Sequence, residues 1–124
     1  MRDVNGELWM AFIFTILFPI GMFVGSVVLR MMATRKPNAI VGYRTELAFK
    51  SPKHWAYAQR ISALHFLGVG IITLLLALAT FGIMFHYGIR NPNLWWIACS
   101  VLTVVSLALL LLIFPAVDRK LRKL

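Results

Sequence analysis

Three apolar runs, residues 8–32, 61–85 and 94–117, constrain this chain more than any other feature. Each is about 24 or 25 residues long, enough to cross a ~30 Å hydrocarbon core with some tilt. Such runs cannot be hidden in a soluble fold of 124 residues: 60% of the chain is hydrophobic and only 14% charged, against about 25% charged in soluble domains. The fold class that follows is an all-α integral membrane protein with three transmembrane helices. One membrane domain fills residues 1–124, and no room is left for a soluble one. The first run reads as a span, not as a cleaved leader. Asp3 and Glu7 dilute the amino-terminal charge, the run is too long for a leader's apolar region, and no small-x-small cleavage pattern follows it.

The net charge of +9 sits beside the spans. Arg30, Arg35, Lys36, Arg44, Lys50, Lys53 and Arg60 lie between the first two runs, and Arg119, Lys120, Arg122 and Lys123 follow the third. Only Arg2 and Arg90 fall on the other side. This asymmetry predicts a cytoplasmic 33–60 segment and carboxyl terminus, with the amino terminus outside. It is the pattern of topology signals and contacts with anionic membrane lipids, not of a nucleic-acid-binding face. Trp9, Tyr87, Trp95 and Trp96 are expected at the outer membrane surface, and Tyr43, Trp55 and Tyr57 at the inner one.

The second helix is predicted to begin before its apolar run. Ser51 suits an N-cap and Pro52 the first helical position. The helix then reads without a break from residue 52 to 85, extending into the cytoplasm. Pro19 is expected to kink the first helix. Gly21 and Gly25, at GxxxG spacing and followed by Ser26, mark a helix-packing face and suggest a homodimer. Gly68, Gly70, Ala77 and Gly82 offer small contacts in the second span, and Ser100, Thr103 and Ser106 lie along one face of the third.

The segment between the first two spans is richer than a connector requires. Gly42 permits a turn that a Cβ resists, and Arg44 can hold a phosphate or carboxylate with a planar fork. Asn38 and Thr45 can satisfy backbone groups near the membrane. The same residues also suit a plain loop whose arginines set topology, and composition does not separate the two readings.

The stretch Asn38-x-x-x-Gly42-Tyr43-Arg44-Thr45, followed by Ser51-Pro52-x-x-Trp55-x-x-Ala58-Gln59-Arg60, resembles the motif region of the SdpI family. These are bacterial membrane proteins named for immunity to a secreted peptide toxin made by sibling cells. The three-span layout resembles the shorter members. The resemblance covers residues 36–60 and ends there: a glycine is expected near 62–64, where Ser62, Ala63 and Leu64 stand. It implies residence in the bacterial inner membrane, resistance to a membrane-active peptide toxin, and a link to a cytoplasmic repressor. A different class is a sensor or scaffold whose basic loop docks a cytoplasmic partner. A third is a transporter or enzyme acting on a lipid.

Chemistry is otherwise sparse. His54 and His65 lie on nearly one helix face but ~16 Å apart along the axis, too far to share a metal. His65, just inside the apolar run, is a candidate polar site; a neutral histidine bonding a carbonyl or headgroup is the alternative. Asp3, Glu7, Glu46 and Asp118 all fall outside the apolar runs. Cys99 is a lone cysteine. No paired carboxylates, nucleophile–base spacing or metal-ligand cluster is present, so neither an enzyme nor a cofactor or metal is expected.

Overall fold

The computed structural model describes residues 4–124 as three long helices: α1 (Val4–Met32), α2 (Pro52–His86) and α3 (Pro92–Arg122). Arg2 and Asp3 lie outside the described residues. A single 3-10 turn, Ala48–Lys50, precedes α2. All three helices are long and apolar enough to span a membrane. Each packs against the other two, with α1 and α2 the most extensive pair.

Local chemistry explains the helix ends. Ser51 caps α2 by accepting a hydrogen bond from the His54 amide at 3.1 Å, and Pro52 occupies the first turn. α2 ends at His86 in a Schellman motif. Gly88 takes φ +66°, the Ile89 amide donates to the Met84 carbonyl at 2.9 Å, and the Gly88 amide donates to Phe85 at 3.1 Å. Asn91 and Pro92 then start α3 as Ser51 and Pro52 start α2. α1 continues through Pro19, and α3 through Pro115.

Small residues bring α1 and α2 together. A Cβ on Gly25 would lie 2.9 Å from the Phe66 ring, and one on Gly70 would lie 2.9 Å from Phe23. Each glycine is thus a notch for a ring of the facing helix. Ser26 donates across the same interface to the Ala63 carbonyl at 2.8 Å. Of the GxxxG pair only Gly25 packs within the chain: a Cβ on Gly21 meets nothing within 4 Å. Gly70 and Ala77 are buried in the bundle, whereas Gly68 and Gly82 have open space beside them. Ser100, Thr103 and Ser106 donate to carbonyls four residues back on α3.

The interior divides into two clusters. One, at the end where α1 leaves and α2 enters, gathers Met22, Leu29, Tyr43, Trp55, Ala58, Val117 and Leu121. The other, at the opposite end, gathers Leu8, Ala11, Phe81, Trp95 and Cys99. The aromatic belts need revision accordingly. Trp9 and Tyr87 are exposed, but Tyr43, Trp55 and Trp95 are buried and hydrogen-bonded, and serve as core residues rather than surface anchors.

Candidate functional site

The segment 33–51 folds back over the bundle because its side chains satisfy its own backbone. Asn38 Oδ1 accepts from the amides of Ile40 (3.0 Å) and Val41 (2.8 Å), closing a tight turn. The chain then passes through Gly42 at φ +112°. A Cβ there would lie 2.7 Å from Gln59 Oε1 and 3.3 Å from the Trp55 ring. Glycine is therefore required twice, for its dihedral and for its close approach to α2.

Gln59, fully buried one helical turn beyond Trp55, holds Tyr43 by its backbone. Its Oε1 accepts from the Tyr43 amide at 2.7 Å, and its Nε2 donates to the Tyr43 carbonyl at 2.8 Å. The side-chain amide thus treats Tyr43 as a neighbouring strand would, and no buried polar side-chain atom among the described residues lacks a partner.

This clamp directs the Tyr43 ring into the bundle. The ring stacks on Phe114 with centroids 5.4 Å apart and planes at 27°. Its hydroxyl donates to Asp118 Oδ1 at 2.9 Å, with the Phe114 carbonyl at 3.1 Å. Thr45 donates to the same carboxylate oxygen at 3.2 Å. Burial pushes the Tyr43 phenol well above its ordinary range, and its hydrogen bond to Asp118 and the carboxylate's charge push it further. Tyr43 is therefore held as a neutral donor.

The remaining motif residues tie the loop to both adjoining helices. Trp55 Nε1 donates to the Met32 carbonyl at 3.0 Å, capping the last turn of α1, and Phe49 tilts against the Trp55 ring. Ser51 Oγ lies 2.6 Å from His54 Nδ1 as well as capping α2. Arg44 is exposed, as are Pro52 and Arg60 of the motif; it donates to the Ala39 carbonyl of its own loop. The sequence suggested a phosphate or a carboxylate as its partner. His65 Nδ1 lies 2.8 Å from the Ile61 carbonyl, one turn back on its own helix and apart from the motif.

Sequence reasoning missed Asp118 and Phe114. In the sequence Asp118 reads only as an acidic residue outside the apolar runs, at the head of a basic tail. A carboxylate placed among Arg119, Lys120, Arg122 and Lys123 contributes nothing to a positive-inside signal, and that mismatch was the available clue.

Two cavities frame the bundle. A groove of about 390 Å³ beside the motif is lined by Gly25, Val28, Leu29, Gly42, Tyr43, Arg44, Phe66 and Phe114. A larger cleft of about 500 Å³ opens at the other end, where Leu8, Trp9 and Phe12 of α1 face Phe81, Gly82 and Phe85 of α2. Trp95 and Arg90 complete that cleft, and Arg90 also donates to Asn5.

Compared with known proteins, residues 34–117 match the sequence model of a family described as the SdpI/YfhL protein family. The match runs from the motif loop through α2 and the whole third apolar run, well beyond the residues that carry the resemblance in the sequence. No curated protein and no solved structure matches the chain at a significant level.

Proposed function

The chain belongs to the SdpI/YfhL family, and from that premise we propose that it protects its cell from a membrane-active peptide toxin. It is a multi-pass membrane protein, and in this reading it resides in the bacterial inner membrane. Its amino terminus faces out and its motif loop faces the cytoplasm, the orientation favoured by the Lys/Arg asymmetry.

The observation that carries the mechanism is the separation of two ends within one short bundle. The motif end is braced: Gln59 clamps Tyr43, Tyr43 reaches Asp118, and Trp55 caps α1. The opposite end keeps the 500 Å³ cleft between aromatic side chains. In the proposed orientation this cleft faces the toxin. An apolar peptide segment lies against Trp9, Phe12 and Phe81, and the Arg90 guanidinium takes a peptide carbonyl or carboxylate. Bracing at the inner end keeps the three helices from spreading when the cleft fills. A cytoplasmic regulator could sense occupancy through the motif loop. A second copy of the chain, packed along the open face at Gly21, would give the protomer a larger bundle.

Gly82 and Gly68 provide the test. Both have open space where a Cβ would point, and only Gly82 lines the cleft. In a sensitive host challenged with candidate peptides, Gly82→Leu should lose protection, while Gly68→Leu retains it at equal membrane level. Equal protection by both variants would remove the cleft from the mechanism.

A further inference from the structure

The groove beside the motif combines features that the bracing of the loop does not use. Arg44 lies at its rim with one Nη1 hydrogen donated to Ala39. A guanidinium carries five N–H donors, so four remain for a ligand. Below it the lining turns apolar: Gly25, Val28 and Leu29 of α1, Phe66 of α2 and Phe114 of α3. These residues belong to helices long and apolar enough to cross the membrane, which puts the groove's apolar lining within reach of lipid. Eleven of the thirteen Lys and Arg residues flank this end of the bundle.

We propose that this groove is a binding site for an anionic phospholipid, with the phosphodiester on Arg44 and one acyl chain against Phe66 and Phe114. The fork of a guanidinium matches a phosphate better than a point charge does. The basic surroundings favour an anionic headgroup over a zwitterionic one. The apolar lining distinguishes a lipid from a free phosphate ion, which would gain nothing from Val28, Leu29 or Phe114. Tyr43 and Gly42 form the inner wall of the groove, so the same clamp that braces the bundle also shapes the lipid seat. The site does not depend on the toxin reading, and it holds whichever way the bundle faces.

The test is retention of phosphatidylglycerol by the purified full chain, read by native mass spectrometry after exchange into zwitterionic micelles. Arg44→Gln is set beside Lys53→Gln, which removes an equal charge from an exposed position outside the groove. The wild type and Lys53→Gln should retain the lipid alike. Arg44→Gln should bind about tenfold more weakly, the worth of one charge-assisted pair. Glycerol phosphate, which carries the headgroup without chains, should not compete at concentrations that saturate the lipid. Equal loss in the two variants would reduce the effect to net charge and overturn the proposal. Competition by glycerol phosphate would make the site a phosphate site, and would overturn the acyl-chain seat. Failure of the wild type to retain phosphatidylglycerol above phosphatidylcholine would overturn it outright.

Discussion

Replacing Gln59 by leucine should destabilise this protein more than any other single change of similar volume. Gln59 is fully buried and makes two hydrogen bonds to one residue, accepting from the Tyr43 amide at 2.7 Å and donating to its carbonyl at 2.8 Å. Leucine would fill the space and leave both backbone groups without partners. An unsatisfied buried group costs about 1–3 kcal/mol, so two cost about 2–6 kcal/mol. The greater apolarity of leucine offsets about 1 kcal/mol of that. A net loss of about 3 kcal/mol is expected. Ser62→Ala is the matched control, since Ser62 is equally buried but donates only to carbonyls of its own helix. The Ala58 and Gln59 carbonyls lie in the body of α2, where the helix supplies their partners. Its removal should therefore cost about 1 kcal/mol or less. Unfolding by a denaturing detergent in mixed micelles, followed by tryptophan fluorescence, measures both. Hydrogen exchange at the Tyr43 amide gives a local readout: protected in the wild type and in Ser62→Ala, exchanging in Gln59→Leu. A leucine variant within about 0.5 kcal/mol of the wild type would refute the clamp, because changes that small mark sites without special contacts.

The Tyr43 phenol, raised by burial and by Asp118, should stay protonated through the pH at which a free tyrosine ionises, ~10. Because the folded value is the higher one, the stability it contributes is present below that pH and lost as pH rises through the folded value. The phenolate absorbance of wild type minus Tyr43→Phe should therefore appear late and together with unfolding; an ordinary titration step would contradict it. Gly25→Ile should weaken the α1–α2 contact, since its side chain meets the Phe66 ring, whereas Gly21→Ile should leave the monomer's unfolding unchanged. If Gly21→Ile also leaves the oligomeric state in mild detergent unchanged, that face meets lipid and not a second copy. Cysteines placed at Ser51 and Asn91 should react with an impermeant reagent in intact cells at 91 only; labelling at 51 alone would reverse the orientation.

The helices were legible in the sequence because their signals are local. Apolar length gave the three spans, and Ser51-Pro52 marked the start of α2 at the residue observed. The motif's residues were legible as a group, but their partners were not. Tyr43 and Asp118 are 75 residues apart, and neither carries a local sign of the other. Trp55 and Tyr43 read as surface anchors because aromatics beside a span usually are. Their burial follows from the loop folding back, which depends on Gln59 reaching a backbone 16 residues away. Gly21 and Gly25 share a spacing, yet only Gly25 faces a ring, because the facing residue on α2 decides which notch is filled.

The central claim is protection against a peptide, and competition in mixed culture tests it most directly. The gene is deleted from the native host, and the deletion strain is grown together with its parent under conditions in which secreted peptides accumulate. Survivors of each strain are then counted. The account predicts that the deletion strain is killed or outgrown, that the intact chain restores it, and that Gly82→Leu does not. A deletion strain that persists alongside its parent, with an unaltered membrane and no added sensitivity to the parent's culture fluid, would contradict it.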